Sequence, residues 1–404
     1  MHVLFVATKV PWPPVDGGRL LMWDTLRGLA AEGCAVTFVA PVAPSALADL
    51  DAVQSHLAPL CRSLLVPVEP RSRWRDALVA QATARPLTVV RHRHPEVVAK
   101  VADLVGRERF TAVHVEQVQA LASAEPAFQR GVPVVMRAQN VESDLWRGMG
   151  SRRPWLAPLA ALEGRRLAAY EAAAVRRCAA TVALTAEDGA RLGALAGGPT
   201  EPSVVPAPFA GHLPPGNSPL EGSPPVVVFG GAGWAPNRDG ARWFVERVWP
   251  AVHRNVPGAV LHLFGFDAPG VPGVRLHPAP RRSDDALAAG SVLAVPLHVA
   301  SGVRMKILEA WARGIPVAAT PAAARGLDTV SGRELEIADS PEGFVRAVGA
   351  LADPEHRGRM TEAARGRLLS DHDPTSVARR LLTIYGSAGA SNMATVSSSP
   401  ADTA

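Results

Sequence analysis

The feature that most constrains this chain is an alternation that stops and then starts again. Short runs of β-branched and apolar residues at 3–7, 36–40, 112–115, 132–137 and 181–184 alternate with longer stretches of helical period, such as residues 20–32 and 154–177. Strands that alternate with helices predict a parallel sheet covered on both faces. Residues 206–225, PAPFAGHLPPGNSPLEGSPP, break the rhythm with a density of Pro and Gly that marks a linker. The alternation then resumes, with strand candidates at 226–229, 260–264, 274–276, 292–297 and 317–320. Two βα arrays joined in this way predict an α/β protein of two Rossmann-like domains facing each other.

Length agrees, since 404 residues exceed what one ordinary core encloses. With 48% apolar and 20% charged residues the composition is globular. No apolar run reaches the ~20 residues that span a bilayer. The start, MHVLFVATKVPWPP, reads as a strand and not as a secretory signal. Cys34, Cys61 and Cys178 are odd in number and widely spaced, which fits buried thiols in a reducing compartment and no metal site. The net charge is +5, concentrated in two places. Residues 71–93 hold six Arg against Asp76, and residues 152–177 hold six against Glu163 and Glu171. Such clusters are either solvated helix faces or a patch for a membrane or another anionic partner.

The stretch SGVRMKILEAWARGIPVAAT, residues 301–320, follows an apolar strand candidate. A helix is expected from about Val303 to Arg313, closed by Gly314 and Pro316. In open α/β sheets ligands lie at the carboxyl ends of strands, and a helix N-terminus there favours phosphate. Ser301 and Gly302 are small enough for a ligand to approach the backbone. Met305, Leu308, Trp311 and Ala312 make an apolar stripe, with Lys306, Glu309 and Arg313 beside it. Two readings stand. Glu309 and Arg313 form an i,i+4 pair on a wet surface, or the carboxylate accepts sugar or ribose hydroxyls while the cations neutralise a diphosphate.

This stretch, read from Pro296 as PLHVASGVRMKILEAWARGIPVAAT, resembles the donor-site signature of family 4 glycosyltransferases. The subgroup it resembles reads P-L-x-x-x-S-G-T-R-x-K-x-L-E-A-x-A-x-G-x-P-V, and twelve or more positions match at fixed spacing. GWAPNRDGARWF (233–244) with VWP (248–250), PWPPVDGGR (11–19), AVHVEQ (112–117) and QNVESDL (139–145) resemble further segments of the subgroup. The resemblance implies a GT-B fold, two Rossmann-like domains facing a central cleft, and retaining transfer of a sugar from a nucleotide-sugar. The domains would be an acceptor-binding 1–205, a linker 206–225, a donor-binding 226–370, a helix 371–386 packing back on the N-domain, and a disordered tail 387–404.

The resemblance also assigns residues. Glu309 would bind the ribose as the second glutamate of a Glu-x7-Glu motif whose first position is Ser301. Backbone groups of Ser301, Gly302 and Val303 would then read the donor sugar. The family's Arg-x4-Lys clamp after the first strand of the C-domain is missing, and Trp234, Pro236 and Asn237 stand there instead. Arg304 and Lys306 are expected to supply the missing charge, so the leaving group is stabilised without a metal. Gly230 and Gly231, before a helix expected from Asp239, would lie near phosphate or sugar. Pro278 and Ala279 would face the base. Gly17 and Gly18, ahead of a helix expected from Arg19, are either a tight turn or a loop against the diphosphate. His114, near the end of its strand, is structural or touches the donor sugar as a catalytic group. Glu116, Asn140 and Glu142 are placed with the acceptor, Glu142 alternatively capping a helix.

The expected partners are a nucleotide-sugar and a saccharide, lipid-linked or small-molecule acceptor. No cofactor, metal or nucleic acid is expected. The arginine clusters of the N-domain would offer a peripheral contact to the inner face of the membrane for a cytoplasmic protein. A nucleotide-sugar epimerase and a non-catalytic binder remain as alternatives. A nicotinamide enzyme does not fit, because Pro236 occupies the third glycine position of a fingerprint begun at Gly231.

Overall fold

The computed structural model of the protein describes residues 1–152, 154–198, 201–231, 233–280, 282–299 and 301–397. The chain divides into two units, Met1–Pro208 with the segment from Pro374 onward, and Phe209–Asp373.

The first unit holds a parallel sheet in the order β3-β2-β1-β4-β5-β6-β7. Its strands are β1 (His2–Val6), β2 (Ala35–Val42), β3 (Arg62–Pro67), β4 (Ala112–Glu116), β5 (Val134–Ala138), β6 (Ala180–Ala183) and β7 (Ser203–Val204). Every residue of β4 and β5 is buried, as a strand covered on both faces requires. The order reverses between β1 and β4, the switch point where open sheets part their connecting loops.

The closing helix Pro374–Ser397 belongs to this unit. Val377, Ala378, Leu381, Tyr385 and Ala388 recur at helical spacing and pack on Val3, Phe5, Met22 and Leu26. Burying one such Leu or aromatic side chain contributes roughly 1.5–3 kcal/mol. Ala388 is the last residue of this buried stripe, and the helix runs to Ser397, past residue 387 where the sequence reading starts its disordered tail. Residues 398–404 lie outside the described residues.

The second unit repeats the plan, with the order β10-β9-β8-β11-β12-β13. Here β8 is Pro225–Phe229, β9 Val260–Phe264, β10 Val274–His277, β11 Val292–Val295, β12 Val317–Ala319 and β13 Glu336–Ile337. All pairs are parallel, with Val292 opposite Val226 and Leu293 opposite Val227. Val226, Val228, Leu261, Leu263, Phe244 and Trp249 form the core on one face. The switch point lies between β8 and β11, so the loops leaving these two strands are neighbours.

The Pro/Gly-rich segment is not a free linker along its length. Phe209 is buried, Leu213 N–H donates to Ala312 O at 2.9 Å, and Gly216 N–H donates to Leu287 O at 2.7 Å. All three cysteines are buried free thiols.

Candidate functional site

The loops after β8 and β11 converge on Lys306. Helix Met305–Ala312 begins two residues later than the sequence suggests, so Ser301, Gly302, Val303 and Arg304 belong to the preceding loop. Ser301 and Val303 are buried, and Gly302 takes φ 68°, a left-handed conformation that favours glycine. All of the helix is buried except Lys306, which is half-buried. Lys306 Nζ donates to the carbonyl of Phe229 at 2.7 Å and to Asn237 Oδ1 at 3.2 Å. Asn237 Nδ2 in turn donates to Gly231 O at 3.2 Å. The ammonium thus stands at the end of β8, over the missing side chain of Gly230. Burial, and then the nearby Arg304, push its pKa down to about 7.

Arg304 is the residue just before this helix, donates to Ser301 O, and stacks 5.5 Å over the Trp234 ring. Helix Ala235–Trp243 starts at Ala235, not near Asp239, because Trp234 is already extended and a proline in the first turn suits a helix start. It places Asn237 in the first turn, turned toward Lys306.

Glu309 does form its i,i+4 pair with Arg313, but not on a wet surface. Both side chains are buried, at 5% and 7% exposure, and Arg313 Nη2 lies 2.8 Å from Glu309 Oε1. Ser283 donates to the same oxygen. Among the described residues Glu309 Oε2 takes no hydrogen bond. Ser283 is a contributor that sequence reading missed, since nothing local links it to a carboxylate 26 positions on. Pro278 and Ala279 form an exposed stretch directly after β10. These groups line the carboxyl edge of one sheet.

The expected residues of the first unit fall differently. Gly17 and Gly18 open the helix Gly17–Ala31 instead of preceding it. Its N-terminus is already capped, as Asp16 accepts the Arg19 N–H at 3.0 Å and pairs with Lys9 at 2.7 Å. Burial alone would raise the Asp16 carboxyl, but Lys9 and the Arg19 N–H outweigh it and hold it below its usual value.

His114, read from the sequence as either structural or a donor-sugar contact, and Glu116, placed there with the acceptor, both lie in the core of this unit. Both are 0% exposed. His114 stacks on Phe5 at 4.2 Å, and its two ring nitrogens meet Glu116 Oε2 at 3.1 Å and Tyr385 Oη at 2.8 Å. Burial, only partly offset by Glu116, lowers the His114 pKa, so the ring is neutral. A neutral ring with Nε2–H on the carboxylate and Nδ1 accepting from Tyr385 satisfies both contacts. Burial would raise the Glu116 carboxyl, but Arg137 and His114 hold it at about 2. Arg137 also donates to Thr25, and Gln139 to Glu116. The cluster ties β4, β5 and both flanking helices together and presents no open polar atom of His114.

Asn140 and Glu142 do lie at the end of β5, with Asn140 Nδ2 donating to Glu142 Oε1 at 3.3 Å. Glu142 does not cap the helix Glu142–Arg152 that it begins. The capping carboxylate is Glu171 of helix Ala157–Arg177, which accepts the N–H of Glu142 at 2.6 Å and of Ser143 at 3.4 Å. Burial pushes Glu142 up despite Gln119 and Asn140, and it pushes Glu171 up to about 7.

Residues 224–353 match the family model described as Glycosyl transferases group 1. That stretch contains both converging loops. Among solved structures, a sucrose-phosphate synthase from Thermosynechococcus elongatus superposes with a TM-score of 0.70 at 14% identity, covering 96% of this chain and 99% of its own. HepE from Anabaena, in complex with UDP-glucose, gives 0.63 at 14% identity over 95% and 98%. The lipopolysaccharide outer core galactosyltransferase WaaB, in its apo form, gives 0.56 at 11% over 98% and 100%. The fold is GT-B, two α/β units each built on a parallel sheet. No curated protein sequence matches the chain.

Proposed function

We propose that this chain is a glycosyltransferase whose second unit holds a nucleotide-sugar by its diphosphate at the loops after β8 and β11. The observation that carries the reading is the half-buried Lys306 ammonium, pinned by Phe229 O and Asn237 at the switch point of the sheet. Among the described residues no carboxylate pairs with this cation, and a diphosphate supplies the counter-charge. The match of residues 224–353 to a glycosyl transferase family, and a fold relative captured with UDP-glucose, support the same reading.

In this reading Lys306 and Arg304 neutralise the leaving diphosphate, so turnover needs no added metal. Glu309 Oε2 accepts the ribose hydroxyls, with Ser283 and Arg313 fixing the carboxylate through Oε1. The base lies along Pro278 and Ala279, and backbone groups of Ser301, Gly302 and Val303 meet the sugar. Transfer proceeds with retention by front-face displacement. The bond from the anomeric carbon to phosphate breaks as the bond to the acceptor oxygen forms, and the acceptor proton passes to the departing phosphate oxygen. Asn140 and Glu142 are proposed to meet a saccharide, lipid-linked or small-molecule acceptor.

A thermal-shift screen of nucleotide-sugars, followed by measurement of released nucleoside diphosphate, tests this. Saturation at 100 times Kd stabilises a protein by about 2.7 kcal/mol. One donor class should raise the melting temperature, and adding acceptors should release its nucleotide. Release of an isomerised nucleotide-sugar without acceptor would instead indicate an epimerase, and binding without turnover a non-catalytic protein. Glu309→Gln is preferred to alanine, which would strip the buried Arg313 of its partner. It should lower turnover about 100-fold while the unliganded protein stays folded.

A further inference from the structure

Two helices of the first unit expose large apolar side chains that the proposed chemistry does not use. On the helix Arg73–Thr83, Trp74 is 83% and Leu78 71% exposed. At the start of the helix Ala157–Arg177 and just before it, Trp155 is 77%, Leu159 51% and Leu162 39% exposed. Residues 74, 78 and 81 share one helical face, as do 159, 162 and 166, with Trp155 in the short turn Pro154–Leu156 just ahead of the second helix. Arg166 Nη2 donates to Gln81 Oε1 at 2.8 Å, so the two stripes meet. A solvated surface rarely carries two nearly bare tryptophans along such stripes.

Within the two segments that carry them, residues 71–93 and 155–170, the exposed charge has one sign. Within residues 71–93 the only acid, Asp76, is buried and paired with Arg71 at 2.6 Å. Within residues 155–170 the only acid, Glu163, is buried and accepts the Thr88 N–H at 3.2 Å. The exposed ionic groups of both segments are therefore arginines: Arg73, Arg75, Arg85, Arg91, Arg93 and Arg165. Tryptophan and leucine rimmed by arginine suit a medium that is apolar below and anionic above. A nucleic acid or an acidic protein would match the arginines but leave the leucines without a partner.

We propose that the face carrying Trp74, Leu78, Trp155 and Leu159 docks on an anionic lipid bilayer, with the rings at headgroup depth and the arginines on lipid phosphates. Among the described residues no helix is long and apolar enough to cross a membrane, so the attachment is peripheral. The inference stands apart from the glycosyl-transfer reading, because it uses none of the donor-site residues.

The test is co-sedimentation of the full chain with vesicles of equal parts phosphatidylglycerol and phosphatidylcholine, and with phosphatidylcholine alone. The wild type should sediment with the anionic vesicles, and raising salt to about 0.5 M should weaken this without abolishing it. The double variant Trp74→Ala, Trp155→Ala should partition at least about tenfold less. Its melting temperature and its stabilisation by a nucleotide-sugar should stay at wild-type values. Arg73→Gln with Arg75→Gln should weaken binding to anionic vesicles only. Wild type left in the supernatant, equal binding to both vesicle types, or equal partition of the double variant would each overturn the proposal. So would a vesicle-free dimer that the double variant dissociates, which would assign the face to self-association.

Discussion

Gly230 and Lys306 share a space that no larger residue could leave open. A Cβ placed on Gly230 would lie 2.8 Å from Lys306 Nζ and 2.6 Å from Asn237 Nδ2. The absent side chain at the end of β8 is what admits a cation from the helix after β11. A loop lacking its own basic clamp is thereby supplied with charge from its neighbour in the sheet.

Gly230→Ala tests that arrangement. The clashing atoms are ends of side chains that can move aside, but Gly230 also takes φ 156°, a backbone conformation L side chains rarely adopt, so the methyl brings strain as well. Donor affinity should fall by at least about tenfold, and the unliganded protein should melt several degrees lower while still folding. Unchanged affinity would mean that the ammonium need not stand there.

The depressed pKa of Lys306 sets a pH dependence. Near pH 6 the ammonium is charged and binds the diphosphate directly. Above about 7 the unliganded protein has lost that proton, and binding must take it up again. The dissociation constant of a nucleotide-sugar, whose diphosphate does not titrate in this range, should rise toward tenfold per pH unit above 7. Calorimetry between pH 6 and 9 measures this, and Lys306→Met should flatten the profile. A flat wild-type profile would contradict the assignment.

Glu171 gives a stability effect of the opposite kind. Its carboxyl is raised to about 7 by burial, so the folded state holds a proton that the unfolded chain releases near pH 4.5. Its contribution is intact below that value and lost as pH rises through 7. Glu171→Gln keeps an oxygen for the N–H groups of Glu142 and Ser143 but carries no charge. The variant should be more stable than the wild type at pH 8, by at most roughly 3 kcal/mol, and nearly level with it at about pH 4. A gap equal at both values would show that burial does not set this carboxyl.

The interior of the fold was legible because strands covered on both faces must be apolar runs. β1, β4, β5, β8, β9 and β11 all stand near where the pattern puts them. β3, β7 and β13 were not legible. All are edge strands, and the last two have only two residues each, so little apolar surface marks them. In the site, Arg304, Lys306 and Glu309 stand out in the sequence because one helix start concentrates them. The partners that define them do not. Phe229 is 77 positions from Lys306 and Ser283 is 26 from Glu309, distances that only the parallel sheet closes. The strand position of His114 left a structural and a ligand role open. Tyr385, 271 residues away, covers it.

The most direct measurement is a crystal structure of the protein with its nucleotide-sugar. The account predicts diphosphate oxygens within hydrogen-bonding reach of Lys306 Nζ and of the backbone at Gly230 and Gly231, with a ribose hydroxyl on Glu309 Oε2. A nucleotide bound elsewhere, with Lys306 still held only by Phe229 and Asn237, would contradict it.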